Sequence, residues 1–214
     1  MELIKPEFLK PLIGTSLFYP CCGNDLLLPI ELFASVISDF YFVEINSIPI
    51  RPKLDDIADK VTDGQEYLKY EKTDMFLHRA SGQKFRIHRW CADGRDALPK
   101  MSNLGVFFYR GDCPLDGKGI PGEGSSGVLW LGEKIFSQVL ALLVPNALVV
   151  TDGSNGDFEQ TGTKHLSELY RNKLKEKAMK KAIPFEYLGR KFTCIGYVGE
   201  KYGPTLVWQV KVVY

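Results

Sequence analysis

The residues able to do chemistry gather in two short stretches. In Leu17-Phe18-Tyr19-Pro20-Cys21-Cys22-Gly23-Asn24-Asp25 an apolar run enters a turn holding one glycine and two polar residues. In Asp39-Phe40-Tyr41-Phe42-Val43-Glu44 a second apolar run ends on a carboxylate, about 20 residues after Gly23. A glycine lets the backbone turn sharply and come close to a ligand. An acid at the end of the following strand can accept hydrogen bonds from both hydroxyls of a ribose. The pattern points to a nucleotide-type site walled by Pro20, Cys22, Gly23, Asn24, Asp25 and Glu44.

Other stretches offer less. Gly117-Lys118-Gly119-Ile120-Pro121-Gly122 through Gly127 looks like a phosphate cradle but lacks Gly-Lys-Ser/Thr, so it reads as a lid loop. The histidines are His78, His88 and His165, and none lies at metal-ligand spacing from another. His78 and His88 fall on the arms of a hairpin, where they can approach each other. With Arg79, Arg86 and Arg89 they form a basic ribbon, either a contact for nucleic acid or an acidic substrate, or a solvated strand face. Lysines 173, 175, 177, 180 and 181 read as the solvated face of a helix. The 5 cysteines, Cys21, Cys22, Cys91, Cys113 and Cys194, are scattered and read as reduced thiols without a structural metal. Cys22 as a nucleophile is the weakest option, since no histidine is near it in sequence.

Positioning these residues requires alternating strands and helices. Strands are expected at 14–19, 39–45, 104–109, 147–151, 192–198 and 205–213, each a short apolar run. Helices are expected at 26–38, capped by Asn24 or Asp25, at 53–70 from the stripe Leu54, Ile57, Ala58 and Val61, at 128–143 ended by Pro145-Asn146, and from 161 or 163 to about 182. Ser81-Gly82-Gln83 joins arms 75–80 and 84–90 in a hairpin, read as an insertion. Residues 152–157 form a turn. The expected fold is α/β, one doubly wound, mostly parallel sheet with a C-terminal antiparallel hairpin, in a single domain over 1–214.

The composition fits such a domain. The 214 residues are 45% hydrophobic and 25% charged, with net charge +1, which demands no polyanionic partner. Nucleic acid is therefore not a favoured partner. No apolar run is long enough to span a bilayer, and Met1-Glu2-Leu3-Ile4-Lys5-Pro6 lacks the pattern of a signal peptide. A cytoplasmic protein acting on a small molecule is expected, with the oligomeric state open.

The order of elements, closing on a hairpin, resembles the class I S-adenosylmethionine-dependent methyltransferase fold. Nicotinamide-binding Rossmann domains lack that hairpin. The resemblance spans nearly the whole chain as a pattern and is loose as a motif. The family's first turn reads Asp/Glu-x-Gly-x-Gly-x-Gly, whereas here only Gly23 is clearly in register and no acid precedes it; Cys22-Gly23-Asn24-Asp25 looks like a variant, with Asp25 facing the amino group of the cofactor. The resemblance implies S-adenosylmethionine as cofactor, Glu44 on the ribose, and Ala92 and Asp93 on the adenine, although Asp93 reads equally as a turn or cap residue. It places substrate and catalytic residues at the end of the fourth strand, here Tyr109-Arg110-Gly111-Asp112-Cys113-Pro114. This departs from the Asn/Asp-Pro-Pro-Tyr of amide and exocyclic-amine methyltransferases. Arg110 and Asp112 would orient a substrate, with Asp112 as a general base, or they pair to anchor the loop. Two readings stand: a methyltransferase, or a non-catalytic binding module that keeps the fold.

Overall fold

A computed structural model of the chain describes residues 4–68, 70–109, 133–151, 184–198 and 205–213, with the side chains of 62–68, 133, 151, 185 and 205 left aside. In chain order the elements are α1 (Pro6–Leu9), β1 (Ser16–Pro20), α2 (Leu27–Phe33), β2 (Asp39–Glu44), β3 (Ala58–Leu68), β4 (Glu71–His78), β5 (Lys84–Cys91), α3 (Gly94–Ala97), β6 (Leu104–Tyr109), α4 (Glu133–Leu142), β7 (Leu143–Thr151), β8 (Phe185–Tyr187), β9 (Arg190–Val198) and β10 (Thr205–Val212). Short 3-10 turns follow α1 and α3.

Among the described residues, ten strands join one sheet in the order β3-β4-β5-β2-β1-β6-β7-β10-β9-β8. The five central strands, β5 to β7, run parallel, and both flanks are antiparallel. Burial follows from position. The central β1 and β6 are buried at every residue, because layers cover both faces. Towards the edge, β5 alternates between buried and more exposed residues, as a strand covered on one face does.

Two apolar clusters form the layers. On one face α2 packs Ile30 and Phe33 with Leu17, Tyr19, Phe40, Phe42 and Phe108. On the other, Leu98 and the α4 residues Phe136 and Val139 pack with Phe18, Phe107, Val149 and Trp208. Neighbouring residues such as Phe107 and Phe108 go to opposite clusters, as strand geometry requires.

Several expectations need correction. The 53–70 stretch is not a helix. One turn forms, with the amides of Ile57 and Ala58 both donating to the Leu54 carbonyl at 2.8 Å, and the chain then extends into β3. Val61, Thr62 and Gly64 are poor helix formers, and β4 offers an edge that needs a partner. Nor is the 75–90 hairpin an insertion, since β5 pairs in parallel with β2 as a central strand. The first helix is shorter than 26–38, and its N-cap is Leu26, without a side-chain cap. Pro145 and Asn146 do not end α4 but lie within β7, where Asn146 has φ of 62° and the pairing with β6 shifts register, a bulge. The sequence reading missed β8, which joins β9 through Leu188 and Gly189 at φ of 48° and 69°, the conformation a tight two-residue hairpin needs. The expected lid at 117–127, turn at 152–157 and helix from 161 or 163 lie outside the described residues. Among the described residues, no helix is long and apolar enough to cross a membrane.

Candidate functional site

Strand order reverses at β1. From β1 the chain moves through α2 to β2 on one side, while β6 and β7 lie on the other. In a parallel sheet that reversal leaves a crevice at the carboxyl ends of the strands. Gly23 and Glu44 both lie at that end.

The turn after β1 is built from unusual backbone. Cys21 and Gly23 have φ of 51° and 52°, a region glycine enters freely and other residues rarely. The Cys22 amide donates to the Val43 carbonyl at 3.3 Å, and the Asp25 amide closes the turn on the Cys22 carbonyl at 3.0 Å. The Gly23 amide then donates to Oε2 of Glu44 at 3.1 Å. Oε1 of Glu44 accepts from the amide of Ile45 at 2.9 Å. The carboxylate thus ties the turn after β1 to the loop after β2. Oε1 also accepts from the amide of Asn46 at 3.5 Å, whereas Oε2 keeps a second lone pair that can accept a hydroxyl. A Cβ placed on Gly23 would meet no atom within 4 Å, so the backbone there faces open space.

The loop after β2 is equally fixed. Asn24 accepts from the Ile50 amide through Oδ1 at 3.2 Å instead of capping α2. Arg89 donates to the Pro49 carbonyl at 3.1 Å and to Asp74 at 2.6 Å. The Ala92 amide donates to the Glu44 carbonyl at 3.1 Å, which brings the end of β5 beside the end of β2.

The remaining expected site residues are placed as follows. Asp25 accepts from the Tyr19 hydroxyl at 3.2 Å. Asp93 is the N-cap of α3, accepting from the Arg95 amide at 2.8 Å, and forms an ion pair with the Arg95 guanidinium at 2.6 Å. The hydrogen bond from Arg95 holds the Asp93 carboxyl below its ordinary range. Pro20 is buried at the end of β1. Tyr109 is fully buried, its ring 6.1 Å from that of Phe107, so it belongs to the core beneath the crevice. Cys22 is buried too, and burial, then the charge of Glu44, pushes its thiol well up, against a role as nucleophile. Arg110 and Asp112 lie outside the described residues.

The basic ribbon is neutralised residue by residue. Arg79 pairs with Asp59 at 2.7 Å, Arg86 with Asp39 at 2.6 Å and Arg89 with Asp74 at 2.6 Å. The histidines do not converge. His78 meets Ser81 at 2.7 Å, whereas His88 bridges Thr73 at 2.9 Å and Asp39 at 2.8 Å and stacks on Tyr41.

The structure brings Gly23 and Glu44, both named from the sequence, into contact; the sequence did not point to Arg89 as the clamp of the loop or to Arg95 as the partner of Asp93. Arg95 stands two residues after an expected cap, and that spacing was a usable signal; Arg89 reaches Pro49 only through the folded chain.

No protein-family model matches the chain, and comparison with curated proteins found no match. Among solved structures, the chain is similar to a candidate methyltransferase of Streptococcus mutans in complex with SAH. Identity is 12% and the TM-score 0.46, covering 96% of this chain and 94% of that chain.

Proposed function

We propose that the chain is a single methyltransferase-like domain that binds S-adenosylmethionine in the crevice at the ends of β1 and β2. One observation carries the reading. The Glu44 carboxylate is held by the amides of Gly23 and Ile45 where strand order reverses, beside a glycine turn that faces open space. Glu44 would hold the ribose through Oε2, and through Oε1 in place of its longer bond from the Asn46 amide, and Gly23 would let the cofactor lie close to the backbone. When bound, the cofactor supplies an electrophilic methyl group on a sulfonium. The protein's part is to align an acceptor, and alignment alone can supply several kcal/mol of the barrier. Arg110 and Asp112, after the end of β6, are the residues proposed to orient a small-molecule acceptor and take its proton. The setting proposed is the cytoplasm.

A second reading, a binding module without methyl transfer, is favoured by a specific observation. No acid ends β1, Asp25 already accepts from Tyr19, and Asp93 is held by Arg95. The carboxylates expected at the amino group and the adenine thus already accept hydrogen bonds from the protein itself, as Glu44 does.

Calorimetric titration of S-adenosylhomocysteine into the wild type and Glu44→Ala tests cofactor binding. The substitution is expected to weaken binding by about 2–4 kcal/mol, two hydrogen bonds to a charged acceptor. Equal affinity in the two proteins would overturn the site. Binding without methyl transfer to any acceptor tried would favour the second reading.

A further inference from the structure

Alternate residues of β5 go to opposite faces of the sheet. Phe85 and Ile87 are buried in the cluster under α2. Arg86, His88 and Trp90 take the other face and keep some exposure. There His88 is the middle of a hydrogen-bonded chain across three strands. Its Nε2 lies 2.8 Å from Oδ1 of Asp39 on β2, and its Nδ1 lies 2.9 Å from Oγ1 of Thr73 on β4.

The direction of each bond follows from Asp39. Its oxygens accept from Nε and Nη2 of Arg86 at 2.6 and 2.9 Å and from the Ser38 hydroxyl at 2.8 Å. Burial opposes the charge, but the hydrogen bonds from His88, Arg86 and Ser38 prevail and keep the carboxyl ionised. A carboxylate only accepts, so His88 donates to it through Nε2. In the neutral ring Nδ1 then carries a lone pair, and the bond to Thr73 runs from the hydroxyl to the nitrogen.

The ring is held in that orientation. The side chains of His88 and Asp39 are only 15% and 11% exposed, and Tyr41 lies flat on the imidazole at 4.4 Å. Thr73 stays partly exposed. A hydroxyl that donates to an imidazole whose other nitrogen is fixed by a buried carboxylate is arranged as an activated nucleophile. Arg86 stands beside the pair, facing Met75 on β4 as His88 faces Thr73. It binds Asp39 through Nε and Nη2, which leaves Nη1 to meet an oxyanion.

We propose that Thr73, His88 and Asp39 form an acyl-transfer site, separate from the Glu44 crevice, that cleaves esters of a small acyl group with a good leaving group such as a phenol. The Thr73 oxygen bonds to the acyl carbon while its proton passes to Nδ1 of His88. The bond to the phenol oxygen breaks, and the phenol leaves with that proton. Water then gives a proton to Nδ1 and attacks the acyl carbon; the acid departs and the Thr73 oxygen takes the proton back from the ring.

Hydrolysis of para-nitrophenyl acetate by the wild type, Thr73→Val and Thr73→Ser, with thiols blocked by iodoacetamide in every sample, tests this. The wild type is also quenched in acid during turnover and its peptides mapped by mass spectrometry. Thr73→Val is expected to be at least tenfold slower than the wild type, Thr73→Ser to retain activity, and the acetyl group to be found on Thr73. The adduct map is read on the wild type, so it decides the question whatever the folding of the variants. Equal rates in the wild type and Thr73→Val, or acetyl groups on lysines and none on Thr73, would overturn the proposal.

Discussion

Replacing Arg89 by Met tests whether the buried ion pair behind the site holds the loop after β2. Arg89 donates to Asp74 at 2.6 Å, and the two side chains are only 10% and 3% exposed; a second nitrogen holds the Pro49 carbonyl. Removing the guanidinium leaves the Asp74 carboxylate buried, with Lys60 and Arg51 at the greater distances of 3.4 and 3.9 Å. Breaking a buried pair by deleting one partner costs about 3–5 kcal/mol. Domains of this kind are stable by about 5–15 kcal/mol, so the loss is a large share of the total. With a urea slope of about 2 kcal/mol/M, the unfolding midpoint should fall by roughly 1.5–2.5 M. Circular dichroism through a urea titration reads this directly. Combining Arg89→Met with Asp74→Leu should recover much of the loss, because an apolar pair of similar volume carries no desolvation cost. A midpoint shift below about 0.5 M for Arg89→Met, or a double variant no better than the single, would refute the reasoning.

Acid stability should depend on Asp39. Burial opposes its charge, but hydrogen bonds from His88, Arg86 and Ser38 outweigh this and hold the carboxyl well below the ordinary range. A depressed folded value means the stabilisation is complete above the unfolded value of about 4 and is lost as pH falls through the folded one. Asp39→Asn should therefore lower the midpoint at neutral pH and flatten the loss of stability below about pH 4; an unchanged acid limb would contradict this. Gly105→Ala should destabilise by about 1–3 kcal/mol, because its Cβ would fall 2.0 Å from Oγ1 of Thr15; a second change, Thr15→Gly, should return part of it in the same thermal melt. Among the described thiols, Cys21 and Cys91 should react with a disulfide reagent at pH 8 well before Cys22 and Cys194. Burial raises both of the latter, Cys194 to about 11, and equal rates for the four would count against the placement of Cys22.

The parallel centre was readable wherever burial is continuous. Leu104-Gly105-Val106-Phe107-Phe108-Tyr109 is apolar throughout, and only a strand covered on both faces keeps such a run. The edge was harder. In 53–70 a weak helical stripe competed with β-branched residues, and the outcome depended on pairing with β4, the next strand along the chain. Leu188-Gly189 held a hairpin signal too short to stand out between polar neighbours. At the site, Gly23 and Glu44 were readable because each ends an apolar run. The partners that constrain their neighbours, Tyr19 on Asp25 and Arg95 on Asp93, come from side-chain orientation, which spacing alone does not specify. The ion pairs of the basic ribbon were hidden for the same reason: Asp39, Asp59 and Asp74 become its counter-ions only when β2, β3, β4 and β5 lie side by side.

The central claim is that Glu44 is a ribose acceptor at the crevice beside β1. A crystal structure of the protein grown with S-adenosylhomocysteine tests it most directly. The ribose is expected at the Glu44 carboxylate, with its two hydroxyls donating to Oε1 and Oε2 and the ligand passing over Gly23. A ligand bound elsewhere, or a ribose oriented away from Glu44 with the Gly23 turn closed over the crevice, would contradict it.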